Sequence, residues 1–166
     1  MTFKRWLPTF LAFPIGGYIA IQTIGSLDDP VSAAAGGLIA GAVIGAGQWL
    51  ALRSRGIGRR WIGYTAAAMA AGSAISVVAT NAGTDRPDVM LAGLITGGLV
   101  GAAQSTLLPR ASALWTAVSA GGWALAWLTT SFVIVDIERG YAVFGSSGAI
   151  VLTLLTGLTL RRIRVA

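Results

Sequence analysis

The sequence predicts an all-α membrane protein: a six-transmembrane-helix bundle of three tandem helical hairpins, with pseudo-threefold symmetry and the N- and C-termini cytoplasmic. Three observations predict it. Hydrophobic residues make up 55% of the 166 residues and charged residues only 11%, and mean hydropathy is +0.75. A soluble chain carries roughly 25% charged residues, so this one cannot furnish a wet surface of its own. The few charges also sort by sign along the chain, and one two-helix pattern recurs three times.

A helix needs about 20 mostly apolar residues to cross the hydrocarbon core. Six stretches qualify: Trp6–Ile24, Val31–Leu52, Trp61–Thr80, Val89–Leu108, Leu114–Val135 and Tyr141–Leu160, none with an ionisable side chain inside it other than tyrosine. Their connections are too short for anything but antiparallel hairpins. Lys4, Arg5, Arg53, Arg55, Arg59, Arg60, Arg110, Arg161, Arg162 and Arg164 fall on one side. Asp28, Asp29, Asp85, Asp88, Asp136 and Glu138 fall on the other, with Arg86 and Arg139. An excess of Lys and Arg marks the cytoplasmic face, here of a bacterial inner membrane by the Arg-, Ala- and Gly-rich composition. Trp6, Trp49, Trp61 and Trp115 all lie near that face and are expected in its interfacial belt. The N-terminal run lacks a small-x-small cleavage site before Asp28 and is expected to be the first span rather than a signal peptide.

The repeat shows in register. Trp6, Trp61 and Trp115 each open an odd-numbered helix, and each even-numbered helix carries small residues four apart. These are Gly37, Gly41 and Gly45, then Gln48; Gly93, Gly97 and Gly101, then Gln104; and Gly145, Ala149, Thr153 and Thr156. The hairpin units run approximately 1–54, 55–110 and 111–166 within a single transmembrane domain. Small residues at this spacing let helix backbones approach closely in lipid, where little hydrophobic force drives helices together. The even-numbered helices are therefore expected to pack through these stripes, with the Trp-led helices outside or between them.

Few residues could carry chemistry. Gln48 and Gln104 could contact a polar ligand, or could hydrogen-bond across helices. The acids could form an outer ring at Asp28, Asp29, Asp85, Asp88, Asp136 and Glu138 that attracts cations. Equally, Asp29-Pro30 and Asp88 stand where an N-cap and a first helical turn belong. Trp123 and Trp127 lie deeper and could stack on a lipid or pack the core. With no Cys and no His, thiolate and imidazole ligands are excluded, as is cysteine or histidine catalysis. No catalytic group, metal site or cofactor is expected. The net charge of +6 reads as a topology signal, not a nucleic-acid surface.

At Gly45-Ala46-Gly47-Gln48-Trp49-Leu50-Ala51-Leu52-Arg53 the chain resembles uncharacterised small multi-pass bacterial membrane proteins with a repeated GxxQWLxLR-like segment. The fourth helix departs from that segment at Ser105 and Pro109. In size and helix count the chain also looks like the substrate-binding subunits of energy-coupling-factor vitamin transporters, whose repeat structure differs. The resemblance implies a membrane bundle and no activity. The expectation is a non-enzymatic accessory or assembly subunit of a larger membrane complex, or a small homo-oligomer. Its partners would be the lipid bilayer, other membrane-protein subunits or a second copy of itself. A small-solute or cation conduit and a lipid or hydrophobic-ligand binding module are the alternatives.

Overall fold

The computed structural model describes residues 3–108, 112–133 and 143–162, and among them every regular element is helical. Helix α1 runs Phe3–Ile24, α-helical to Trp6, 3-10 over Leu7–Leu11 and α-helical again from Ala12. It stops at Gly25, whose φ of 87° suits only glycine. Helix α2, Pro30–Leu52, starts where the sequence signals it. The Asp29 carboxylate accepts from the Val31 and Ser32 amides at 2.8 and 3.1 Å, and Pro30 fills the first helical position. A 3-10 turn, Arg53–Arg55, extends it. Helices α3 (Arg60–Thr80), α4 (Arg86–Ser105), α5 (Ser112–Ser131) and α6 (Ser146–Arg162) follow.

Three segments, Phe3–Ile24, Pro30–Arg55 and Arg60–Thr80, are long and apolar enough to cross a membrane, which makes this a membrane protein by length and composition. Large apolar side chains such as Leu38, Ile75, Val78, Leu94 and Leu125 point outward, as a lipid-facing surface requires.

The helices form a closed ring in chain order, each packed on the next and α6 returning to α1. The small-residue stripes do not meet one another. Each packs on the Trp-led helix that follows it, so those helices lie between the even-numbered ones. A methyl group built on Gly37 would lie 2.6 Å from the Met69 carbonyl oxygen, one on Gly41 2.7 Å from the Ala66 Cα, and one on Gly45 3.0 Å from the Ile62 Cα. On α4, Gly93 and Gly97 face Trp123, and Gly101 faces the Thr116 Cα. A second small face packs within each hairpin: Gly16 on Ala40, Gly72 on Thr96, and Gly148 on the Ala126 carbonyl. Small residues at both contacts, on one helix or the other, let each even-numbered helix take a Trp-led helix on either side, which explains the alternation.

Gly145, expected in the third stripe, stands outside the helix. It lies just before α6, where its carbonyl accepts from Ala149 at 3.0 Å. The sixth helix starts at Ser146 rather than Tyr141 because Val143 and Phe144 turn into the core instead. Phe144 is fully buried, stacked on Phe13 at 5.2 Å and edge-on to Trp123 and Trp127 at 5.0 and 5.9 Å. Gly157 makes the close contact at the closing seam, 2.7 Å from the Trp6 ring. Ala149 is buried.

The Trp-led helices bury matching rungs. From the amino end these are Thr9, Thr65 and Ser119, then Phe13, Met69 and Trp123, then Gly16, Gly72 and Ala126. Those of α1 fall one position closer to its Trp than the others. The 3-10 stretch at Pro8 accounts for the offset: three residues per turn instead of 3.6 adds about a quarter turn over five residues, one residue's rotation.

Candidate functional site

The three indoles that open the odd-numbered helices do not sit in an interfacial belt. Trp6, Trp61 and Trp115 are at most 1% exposed and turn inward, edge-on to one another, with Trp115 at 6.4 Å from Trp6 and 6.1 Å from Trp61. Only Trp49 stays part-exposed, donating to the Ile57 carbonyl at 3.2 Å beneath the Arg59 guanidinium. A residue at a helix end satisfies either position. At Trp6 the bare backbone of Gly157 admits the ring, and at Trp61 and Trp115 the glutamine acceptors hold the indoles inward.

Each buried indole N–H finds its acceptor on the preceding helix of the ring. Trp61 donates to the Gln48 amide oxygen at 3.0 Å and Trp115 to the Gln104 amide oxygen at 3.0 Å. Trp6 closes the set by donating to the Thr156 hydroxyl and the Thr153 carbonyl, both at 3.1 Å. Gln48, Gln104 and Thr156 hold corresponding positions after their stripes. The Gln104 amide nitrogen then bridges to the Gln48 oxygen at 3.0 Å and to the Thr65 hydroxyl at 2.9 Å. Thr65 itself donates to the Trp61 carbonyl at 2.8 Å. Beyond this layer Leu52, Leu108 and Leu160 are all buried in the same cluster.

So the two glutamines that could have met a ligand meet each other and the tryptophans instead. Amides, indoles and hydroxyls do not titrate near neutral pH, and the layer can neither take nor deliver a proton there. What it does is close one end of the bundle with paired amides and indoles. Sequence reading missed the tryptophans as partners of Gln48 and Gln104. The usable signal is spacing: each Gln stands one turn before the end of its apolar stretch, at Leu52 or Leu108, and a Trp opens the next.

The same end bears most of the described basic residues, Lys4, Arg5, Arg53, Arg55, Arg59, Arg60, Arg161 and Arg162. Arg55 reaches across from the α2–α3 connection to the Leu160 carbonyl at 3.1 Å, joining the first hairpin to the last turn of α6. Two surface grooves open here. One, of about 690 Å³, lies between α3 and α4, and one of about 450 Å³ lies between α1 and α2.

The described acids lie at the opposite end. Asp29 caps α2, and hydrogen bonds from the Ser32 side chain and from the Ser32 and Val31 amides hold its carboxyl below the usual range. Asp28 accepts from the Ser26 hydroxyl at 3.0 Å. Asp85 stands at the N-cap of α4 without a side-chain cap bond, and Asp88 lies in its first turn, against Gly83. Arg86 covers the Phe132 ring at 4.3 Å. Asp136 and Glu138 lie outside the described residues. Among the described residues no three acids come together as ligands of a cation would. Trp123 and Trp127 fill the interior against Gly93 and Gly97.

Comparison with protein-family models, with curated proteins and with solved structures finds no match to this chain.

Proposed function

We propose that the chain spans a bacterial inner membrane six times, as three repeated hairpins with both termini in the cytoplasm. In this reading it works without enzymatic chemistry as an accessory or assembly subunit, or as a small homo-oligomer. The observation that carries the reading is how the interior is used. The glycine stripes are consumed inside the ring, and the Trp–Gln–Thr layer with three leucines fills the basic end. Whatever the protein contacts, it contacts on its outer surface. The concentration of basic residues at the Trp end supports a cytoplasmic location for that end.

A solute conduit draws no support from such an interior, since a path along the axis would have to part three hydrogen-bonded indoles. Lipid or hydrophobic-ligand binding does find specific support, in the two grooves at the basic end. Extraction in a gentle detergent followed by native mass measurement tests the leading reading. A second subunit, or a second copy, bound to the chain is the expected result. A particle that is strictly monomeric and partner-free contradicts it.

A further inference from the structure

The two grooves correspond in position, each beside the amino end of a Trp-led helix. The larger runs between α3 and α4 with Ala67, Ala68, Ala102 and Ala103 as walls, and Arg60 and Tyr64 at its basic end. The other runs between α1 and α2, with Ala12, Gly47 and Ala51 as walls and Arg5 and Arg53 at its mouth. Arg60 immediately precedes Trp61, and Arg5 immediately precedes Trp6. Because the tryptophan is fixed inward by its hydrogen bond, the residue before it is turned outward, to the rim. In the third hairpin that residue is Leu114, which offers no charge.

Three properties select the occupant. The α3–α4 walls are apolar and mostly small, and those of α1–α2 are largely apolar apart from Thr9 and Ser54, so a groove in lipid fills with a flexible hydrocarbon chain. Arg60, Arg5 and Arg53 have no acidic counterpart among the described residues, whose four acids, Asp28, Asp29, Asp85 and Asp88, lie at the other end. Arg59 next door is already engaged over Trp49, which leaves the Arg60 guanidinium, exposed and planar, for a phosphate. Basic pockets between helices at the cytoplasmic side suit anionic lipid head groups. Tyr64, 41% exposed one turn from Arg60, adds a hydroxyl at the same level.

We infer that the α3–α4 groove holds one acyl chain of an anionic phospholipid from the cytoplasmic leaflet, its phosphate on Arg60. The α1–α2 groove holds a second such lipid on Arg5 and Arg53, and the third hairpin holds none. This rests on the proposed membrane topology and deepens its ligand-binding reading.

The test uses the full chain in nanodiscs of mixed phosphatidylglycerol and phosphatidylcholine, with retained lipid counted by native mass spectrometry. Wild type should keep phosphatidylglycerol in preference to phosphatidylcholine, at up to two copies. Arg60→Ala should weaken that preference at one site about fivefold, the worth of one arginine near an anionic surface, and Arg60→Lys should restore most of it. Ala67→Leu with Ala102→Leu fills the groove from exposed positions, so the core is untouched. It should remove one retained lipid while leaving the thermal midpoint in lipid-free detergent unchanged. Phosphatidylcholine kept as well as phosphatidylglycerol, an unchanged preference in Arg60→Ala, or undiminished lipid in the filled variant overturns the inference. Carbonate-washed membranes report the topology reading separately: a chain released by the wash refutes that reading, whatever the lipid counts show.

Discussion

Gln104→Leu exposes the logic of the buried polar layer most fully. The substitution nearly preserves volume and deletes three hydrogen bonds at a position 1% exposed. Two of the losses leave no orphan. The Gln48 oxygen keeps the Trp61 indole, and the Thr65 hydroxyl still donates to the Trp61 carbonyl. Interhelical hydrogen bonds in membranes average about 0.6 kcal/mol, so these two are worth roughly 1 kcal/mol together. The third loss strands the Trp115 N–H inside the bundle, and a buried donor without a partner costs about 1–3 kcal/mol. The expected destabilisation is about 2–4 kcal/mol, read from reversible unfolding in mixed micelles. Trp115→Phe removes the stranded donor, so Gln104→Leu and Trp115→Phe should not add. Their double variant should be at least about 1 kcal/mol less destabilised than the sum of the singles. Additivity within about 0.3 kcal/mol would refute the pairing of Gln104 with Trp115.

The equivalent positions grade the effect. Thr156→Val should cost under about 1 kcal/mol in the same assay, because the Trp6 N–H retains the Thr153 carbonyl. Gly41→Leu and Gly97→Leu should each lower stability by about 3 kcal/mol or more, beyond the usual cost of overpacking, since even a methyl group would meet backbone or Cβ atoms within 2.9 Å. Gly63→Ala and Gly121→Ala, which meet open space, should be neutral or stabilising by up to about 1 kcal/mol, as helix propensity requires. Asp29 has a lowered folded-state pKa. Its cap therefore contributes stability above its unfolded pKa and loses it as pH falls through the folded value, so a loss below about pH 4 is expected. Asp29→Asn, which can still cap, should flatten that acid limb in a melting series.

Much of the fold is legible in the sequence, and its limits have physical causes. Asp29-Pro30 marks the start of α2 because an acceptor and a residue lacking an N–H are what a helix amino end needs. The stripes at Gly37–Gly45 and Gly93–Gly101 announce close packing. They do not say against what, since a bare backbone fits a glycine face and an indole edge alike. The order around the ring decides that, and order is not a local property. The start of α6 is hidden because Tyr141–Gly145 is apolar enough to continue a helix, and only the aromatic pocket formed by Phe13, Trp123 and Trp127 draws Phe144 out of one. At the layer itself, Gln48 and Gln104 stood out as repeated polar residues. Their partners did not, because a tryptophan at a helix end reads first as an interfacial anchor. The offset in α1 was invisible too, since it arises from the 3-10 winding at Pro8 rather than from any insertion.

The return of α6 to α1 closes the ring of helices, and cysteine cross-linking tests that closure without background, because the chain has no native cysteine. A Cβ on Gly17 would lie 3.7 Å from the Val143 Cβ, inside the range a disulfide spans. Gly17→Cys with Val143→Cys, oxidised in native membranes, should form an intramolecular bond that keeps the two fragments together after cleavage in the Arg53–Arg60 connection. The Gly98→Cys and Ala120→Cys pair, at 3.8 Å and read after cleavage in the 109–111 connection instead, serves as the control between adjacent helices. Cross-linking of the control without any at the seam would show an open row of hairpins and contradict the closed ring.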